Sequence, residues 1–69
     1  MKLIIGSRHK IEVTDIAAAS AAYCQLRDES GEGASTWPKG RVGLHRISYN
    51  GKVWMDDKVA YSPYDLPAP

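Results

Sequence analysis

The side chains able to do covalent or metal chemistry are few and scattered. Cys24 is the only thiol, and His9 and His45 are the only imidazoles. Zinc sites generally show paired ligands at short spacing, such as Cys-x-x-Cys or His-x-x-x-His, and neither pattern occurs. As a nucleophile Cys24 would need surroundings that lower its pKa. It lies instead in the alanine-rich run Ile16–Leu26, where a cysteine packs as a small apolar residue. A domain this small also has little room for a concave site of several hundred Å³. The expectation is a protein that is not an enzyme, with no metal and no cofactor.

Phosphate chemistry is the second candidate, because Gly31-Glu32-Gly33-Ala34-Ser35-Thr36-Trp37-Pro38-Lys39-Gly40-Arg41 gathers glycines, hydroxyls and cations. A P-loop needs Gly-x-x-x-x-Gly-Lys followed by Ser or Thr, and a dinucleotide loop needs Gly-x-Gly-x-x-Gly opening a helix. Here Lys39 precedes Gly40, no hydroxyl follows, and the third glycine is absent. The stretch also follows a predicted helix, whose C-terminal end repels anions. A helix cap plus a connection is the expected role.

The third candidate is a mixture of cations and rings. Between Trp37 and Trp54 lie Lys39, Arg41, His45, Arg46, Tyr49 and Lys52, with no acid. Asp28, Glu29 and Glu32 precede this stretch, and Asp56 and Asp57 follow it. Such a mixture tracks a phosphate backbone and stacks on bases. It also serves protein interfaces, where Trp, Tyr and Arg dominate binding. The plainer alternative is that the cations form a solubilising rim and the rings belong to the core. The candidate partner-binding residues are Trp37, Lys39, Arg41, Arg46, Tyr49 and Lys52.

Positioning these residues requires a scaffold. Leu3-Ile4-Ile5 is short and apolar, and Ile11-Glu12-Val13 alternates as a half-buried strand does; the break Gly6-Ser7-Arg8-His9 makes them a hairpin. Thr14-Asp15 supplies a helix start. Ile16, Ala19, Tyr23 and Leu26 share one helical face, extended by the small Ser20 and Cys24. This spacing predicts a helix over about residues 15–29, closed by Gly31 in a left-handed conformation. Arg41 to Tyr49 is strand-rich, and Asn50-Gly51 is the strongest short hairpin signal. A two-residue turn there would pair Ile47 with Trp54 and Arg46 with Met55. Ile47, Tyr49 and Trp54 would then share one face, and Leu44, Arg46, Ser48, Val53 and Met55 the other. The expectation is that Ile47 and Trp54 meet the helix and Arg46 faces outward, with the reverse assignment as the alternative. The order β-β-α-β-β predicts an α+β domain over residues 1–56, a small antiparallel sheet of about four strands packed on one helix. Residues 57–69, with Ser62-Pro63 and Leu66-Pro67-Ala68-Pro69, are expected to be an extended, proline-rich tail.

Length and composition narrow the classes further. Sixty-nine residues make one domain, and a core this small rarely supplies more than roughly 3–5 kcal/mol of net stability. A lone cysteine permits no intramolecular disulfide, which fits a reducing compartment. No apolar run approaches the roughly 18 residues of a membrane span, and Leu3-Ile4-Ile5 is too short for a signal-peptide core, so no membrane partner is expected. A formal net charge of +1 argues against a nucleic-acid binder working by bulk charge. Open edge strands of a small sheet are compatible with a homodimer.

Gly33-Ala34-Ser35-Thr36-Trp37, followed by Arg46-Ile47-Ser48-Tyr49-Asn50-Gly51-Lys52-Val53-Trp54, resembles short proteins encoded by bacteriophages and prophages of Gram-negative bacteria. In those, as here, an alanine-rich helix leads into the Gly-Ala-Ser segment, and the likeness runs from about Ile11 to Trp54. That group has no established activity, so no catalytic or binding residue carries over. The resemblance implies a bacterial cytoplasm and a phage-type accessory protein with a host protein as partner. By analogy with such proteins, the expected function is a non-enzymatic interaction protein that binds and inhibits a host component, such as one of an anti-phage defence system like CRISPR. The alternative is a small nucleic-acid-binding module using the basic, aromatic hairpin over 37–54.

Overall fold

The helix forms where the sequence supplies both of its ends. In this computed structural model, which describes residues 1–64, helix α1 runs Ile16–Ser30. Asp15 precedes it in extended backbone, and its carboxylate accepts a hydrogen bond from the Ala18 amide at 2.8 Å, satisfying one of the orphan donors of the first turn. At the far end Gly31 takes the left-handed φ of 71°, and Arg27 places a cation against the negative end of the dipole. Ala19, Ser20 and Tyr23 are buried, with Ile16 and Leu26 packed beside them. This is the stripe that the 3.6-residue spacing predicts.

Six strands accompany the helix: β1 (Lys2–Ile5), β2 (His9–Glu12), β3 (Gly40–Val42), β4 (His45–Ile47), β5 (Val53–Met55) and β6 (Lys58–Tyr61). They form one antiparallel sheet in the order β2-β1-β3-β4-β5-β6. The architecture is α+β, with six strands in place of about four. Gly43-Leu44 turns the chain within the stretch expected to be one strand, splitting it into β3 and β4. Asp56-Asp57 turns it again, so that Lys58–Tyr61, expected to belong to the tail, pairs with β5. Residues 65–69 of the expected tail lie outside the described residues. Both β2 and β3 run antiparallel to β1, hence parallel to each other. Parallel strands need a long crossover, and α1 provides it.

The core lies between α1 and one face of the sheet. Leu3, Ile5, Val42, Ile47 and Val53 supply the sheet side, Ala19 and Tyr23 the helix side, and Trp37 closes one end. The large ring that fills the space left by the alanines is Tyr23 rather than Trp54. It lies flat enough on β3 that a Cβ at Gly40 would stand 2.9 Å from its Cδ2. Its hydroxyl donates to the Pro38 carbonyl at 2.9 Å, and burial pushes its pKa up to about 12.

The connection between β4 and β5 differs from the expected two-residue turn. Ile47 stands opposite Val53 and Arg46 opposite Trp54, one residue away from the expected pairing. A slip of one residue reverses the faces, so Val53 is buried and Trp54 turns outward. The cause is tertiary. The Ser20 hydroxyl donates to the Gly51 carbonyl at 2.7 Å, and Arg27 donates to the Tyr49 carbonyl at 2.7 Å, docking the loop on the helix. Gly51 sits so close that a Cβ there would lie 2.5 Å from Cys24 Sγ, and its φ is 92°. A type I turn over Ser48–Gly51, closed by the Gly51 amide on the Ser48 carbonyl at 2.8 Å, meets these contacts. Such a turn with a positive-φ glycine after it is the wider hairpin solution.

Candidate functional site

With the helix on one face of the sheet, the other face is left open by the described residues. Residues directly opposite one another on paired strands share a face, and one continuous row follows from the pairings. Lys10 stands opposite Ile4, Ile4 opposite Arg41, Arg41 opposite Arg46, Arg46 opposite Trp54 and Trp54 opposite Val59. The row crosses all six strands on the face away from α1. Lys10, Arg41, Arg46 and Val59 are exposed; Ile4 and Trp54 are half-buried. Lys2 lies two residues along β1 on the same face, and Lys39 approaches from the residue before β3. Ile4, Gly6, Lys39, Gly40, Arg41 and Arg46 line a hollow on this face, and a second hollow runs past Ile4 to Arg8 and Lys10.

The ring in this row is held by the adjoining β4–β5 loop. Trp54 Nε1 donates to Ser48 Oγ at 3.2 Å, and that hydroxyl donates to Asn50 Oδ1 at 2.6 Å. Asn50 Oδ1 also accepts from the Lys52 amide at 3.0 Å. The loop that carries these groups is the one fixed to α1 by Ser20 and Arg27. The Arg46 guanidinium carbon lies 5.8 Å from the Trp54 ring centroid, within range of a cation–π contact.

Cations dominate the open face. Among the described residues the ion pairs are Arg8–Glu32, Arg27–Asp28 and the Met1 amine with Glu12; none engages Lys2, Lys10, Lys39, Arg41 or Arg46. Glu12 is the one carboxylate carried by any strand among the described residues, and it stands on this same face, directly opposite Lys2. Asp28 and Glu29 lie on α1 near its C-terminal end, bonded to Arg27 and Gln25, and Glu32 follows in the loop. Arg41 and Arg46 face each other directly across β3 and β4, an arrangement of like charges that costs stability.

Three of the residues expected to bind a partner share this face: Lys39, Arg41 and Arg46. Trp37 does not. It is 4 % exposed and packs against Tyr23 and His9, with Arg8 over its ring. Tyr49 is half-buried on the helix side, where its hydroxyl donates to the Glu32 carbonyl at 2.8 Å and Arg27 lies over its ring. Lys52 is half-buried in the β4–β5 loop. The row adds Lys10, Ile4 and Val59, which sequence reasoning missed, and Trp54, which it turned inward. Lys10 alternates with His9 and Ile11, so its outward direction was readable; its alignment with Arg41 was not, because β1 joins them only in three dimensions.

The glycine stretch acts as a packing connection. Arg8 binds the Glu32 carboxylate with both terminal nitrogens, which holds that carboxyl below its usual range and raises the Arg8 pKa. The Gly33 carbonyl accepts from the Thr36 and Trp37 amides at 3.1 and 2.9 Å, and the turn they form delivers the Trp37 ring to the core. His9 and His45 stand on strands separated by three strand spacings, about 14 Å, while Cys24 lies under Gly51. No group of three or more His, Cys, Asp or Glu side chains that could hold a metal occurs among the described residues. No helix among them is long and apolar enough to cross a membrane. Comparison with protein-family models, with curated proteins and with solved structures returns no match.

Proposed function

We propose that this chain is a non-enzymatic interaction module that lays the open face of its sheet on an anionic partner. The observation that carries the reading is the pair Arg41 and Arg46, directly opposed on an exposed face with no carboxylate bound to either among the described residues. Two guanidiniums in that position oppose folding, and an anion laid across them removes the opposition. Lys10 and Lys39 extend the positive field, while Lys2 is offset by Glu12 directly opposite it. An acidic surface of a host protein, the partner implied by the phage-type resemblance, has the required sign, and so does a nucleic acid.

Retention on immobilised heparin at about 50 mM salt, where contacts of this kind are strong, tests the reading. The wild-type chain is expected to be held despite a formal net charge of only +1. The double variant Arg41→Gln, Arg46→Gln should elute much earlier. Lys52→Gln with Lys58→Gln removes the same formal charge away from the row and should change retention little. Passage of the wild type without retention, or equal loss in the two double variants, overturns the assignment of this face.

A further inference from the structure

We infer that the anionic partner is a single-stranded nucleic acid lying across the strands, along the row from Lys10 to Val59. This rests on the open-face reading above and goes beyond it in naming the partner. Five strand spacings make the row about 24 Å long, enough for several nucleotides. Its chemistry runs cation, apolar, cation, cation, ring, apolar: Lys10, Ile4, Arg41, Arg46, Trp54, Val59. Single-strand sites combine backbone-tracking cations with a ring on which a base stacks, and open sheet faces carry such rings in RNA-binding modules. Guanidiniums pair with phosphate through two parallel hydrogen bonds, and neither arginine of the row is paired with a carboxylate among the described residues.

Trp54 separates a nucleic acid from an acidic protein surface. Cations alone would satisfy carboxylates. Here an indole is interposed in the same row, its N–H tied to Ser48 and its position fixed through Asn50, so its ring is preorganised beside the arginine that would take the neighbouring phosphate. Duplex DNA is a poorer fit. Its major groove admits a helix or a two-stranded ribbon, and α1 lies on the opposite face while the strands are only three or four residues long.

The experiment is fluorescence anisotropy of labelled 12-nucleotide dT and U strands, the matching duplex, and labelled polyglutamate, each with the full chain, together with tryptophan emission. Contact with roughly three to five phosphates gives a salt slope of about −2 to −3.5. Single-strand affinity should therefore fall roughly 20- to 100-fold between 50 and 200 mM salt. Arg41→Gln with Arg46→Gln should reduce the slope by about 1.4. Saturating strand should quench wild-type emission, and Trp54→Leu should abolish the quench while leaving the emission of the buried Trp37. Where Trp54→Leu proves poorly folded by circular dichroism, the arginine variant and the slope carry the test. Binding of polyglutamate but of no oligonucleotide overturns this inference and leaves the open-face reading standing. Duplex binding as tight as single-strand binding, or a slope unchanged in the arginine variant, also overturns it. Binding of neither polymer, with no retention on heparin, removes both.

Discussion

Arg41→Gln is expected to make this protein more stable. Arg41 and Arg46 are cross-strand neighbours on an exposed face, and the Arg41 side chain makes no hydrogen bond or ion pair among the described residues. Two guanidiniums splayed to about 8 Å in a water-like dielectric repel by about 0.5 kcal/mol. At 10 mM salt the screening length is about 30 Å and most of this remains; at 150 mM it is about 8 Å and roughly 0.2 kcal/mol is left. For a chain of this size about 1 kcal/mol moves the midpoint by 4–8 °C. The variant should therefore melt about 2–3 °C higher at 10 mM salt and only about 1 °C higher at 150 mM. Glutamine is shorter but keeps two of the three stem methylenes and carries no charge, so the salt-dependent part of the change isolates the charge. Differential scanning calorimetry at the two salt concentrations reads it, with Lys39→Gln as a variant that does not face Arg46 directly. A lower midpoint for Arg41→Gln at 10 mM salt, or a gain independent of salt, would refute the claim that the two arginines oppose folding. A gain in stability joined to a loss of heparin retention is the pattern of a site kept at the expense of the fold.

Other substitutions probe the scaffold. Ser20→Ala removes the buried donor of the Gly51 carbonyl and should cost about 1–3 kcal/mol in urea denaturation; a cost below a few tenths would mean that this bond does not hold the loop. Gly51→Ala forces a side chain into a φ of 92° and within 2.5 Å of Cys24 Sγ. A loss of more than about 1 kcal/mol is expected, partly recovered by adding Cys24→Ala, and absence of that recovery would place the clash elsewhere. Tyr23 keeps its proton to about pH 12 in the folded chain because it is buried, against about 10 when unfolded. Its contribution is therefore complete below pH 10 and is lost as pH rises toward 12. Stability measured across that window should fall less steeply in Tyr23→Phe, and equal slopes would contradict the assignment. Glu32 is held ionised by Arg8, so the pair supports the fold above the ordinary carboxyl range and fades as pH falls through the lowered value. Glu32→Gln should flatten the acid limb, which a pH series of thermal melts will show.

Much of the scaffold was readable because local chemistry and tertiary packing agree. Asp15 and Gly31 mark the helix ends by capping rules that act within one turn, and the stripe Ile16–Ala19–Tyr23–Leu26 identifies its buried face. The first hairpin follows from alternation around Gly6. Reading failed where contacts distant in sequence decided the outcome. Asn50-Gly51 alone prefers a tight turn, but Ser20 and Arg27 hold a wider one, and the resulting slip exchanged Val53 and Trp54 between core and surface. Strand β6 carries a single half-buried residue, Tyr61, among exposed ones, so its sequence has little apolar pattern to read. Trp37 looked available because it stands among cations, whereas the Gly33–Trp37 turn carries its ring inward. Of the row on the open face, Arg46 was correctly turned outward. Its alignment with Lys10 and Ile4 depends on β1 inserting between β2 and β3, which no local pattern encodes.

That insertion has a consequence for how the surface comes into being. Residues 40–61 form a meander of sequential neighbours, and residues 2–12 a separate hairpin; the two halves are stitched along one seam, the β1–β3 ladder. Such non-local ladders require the intervening loop to close first. Lys10 and Ile4 stand on one side of the seam, and Arg41, Arg46, Trp54 and Val59 on the other. A polymer laid over all of them would therefore act as a staple, and its occupancy should be reported most strongly by slower amide exchange along that one ladder.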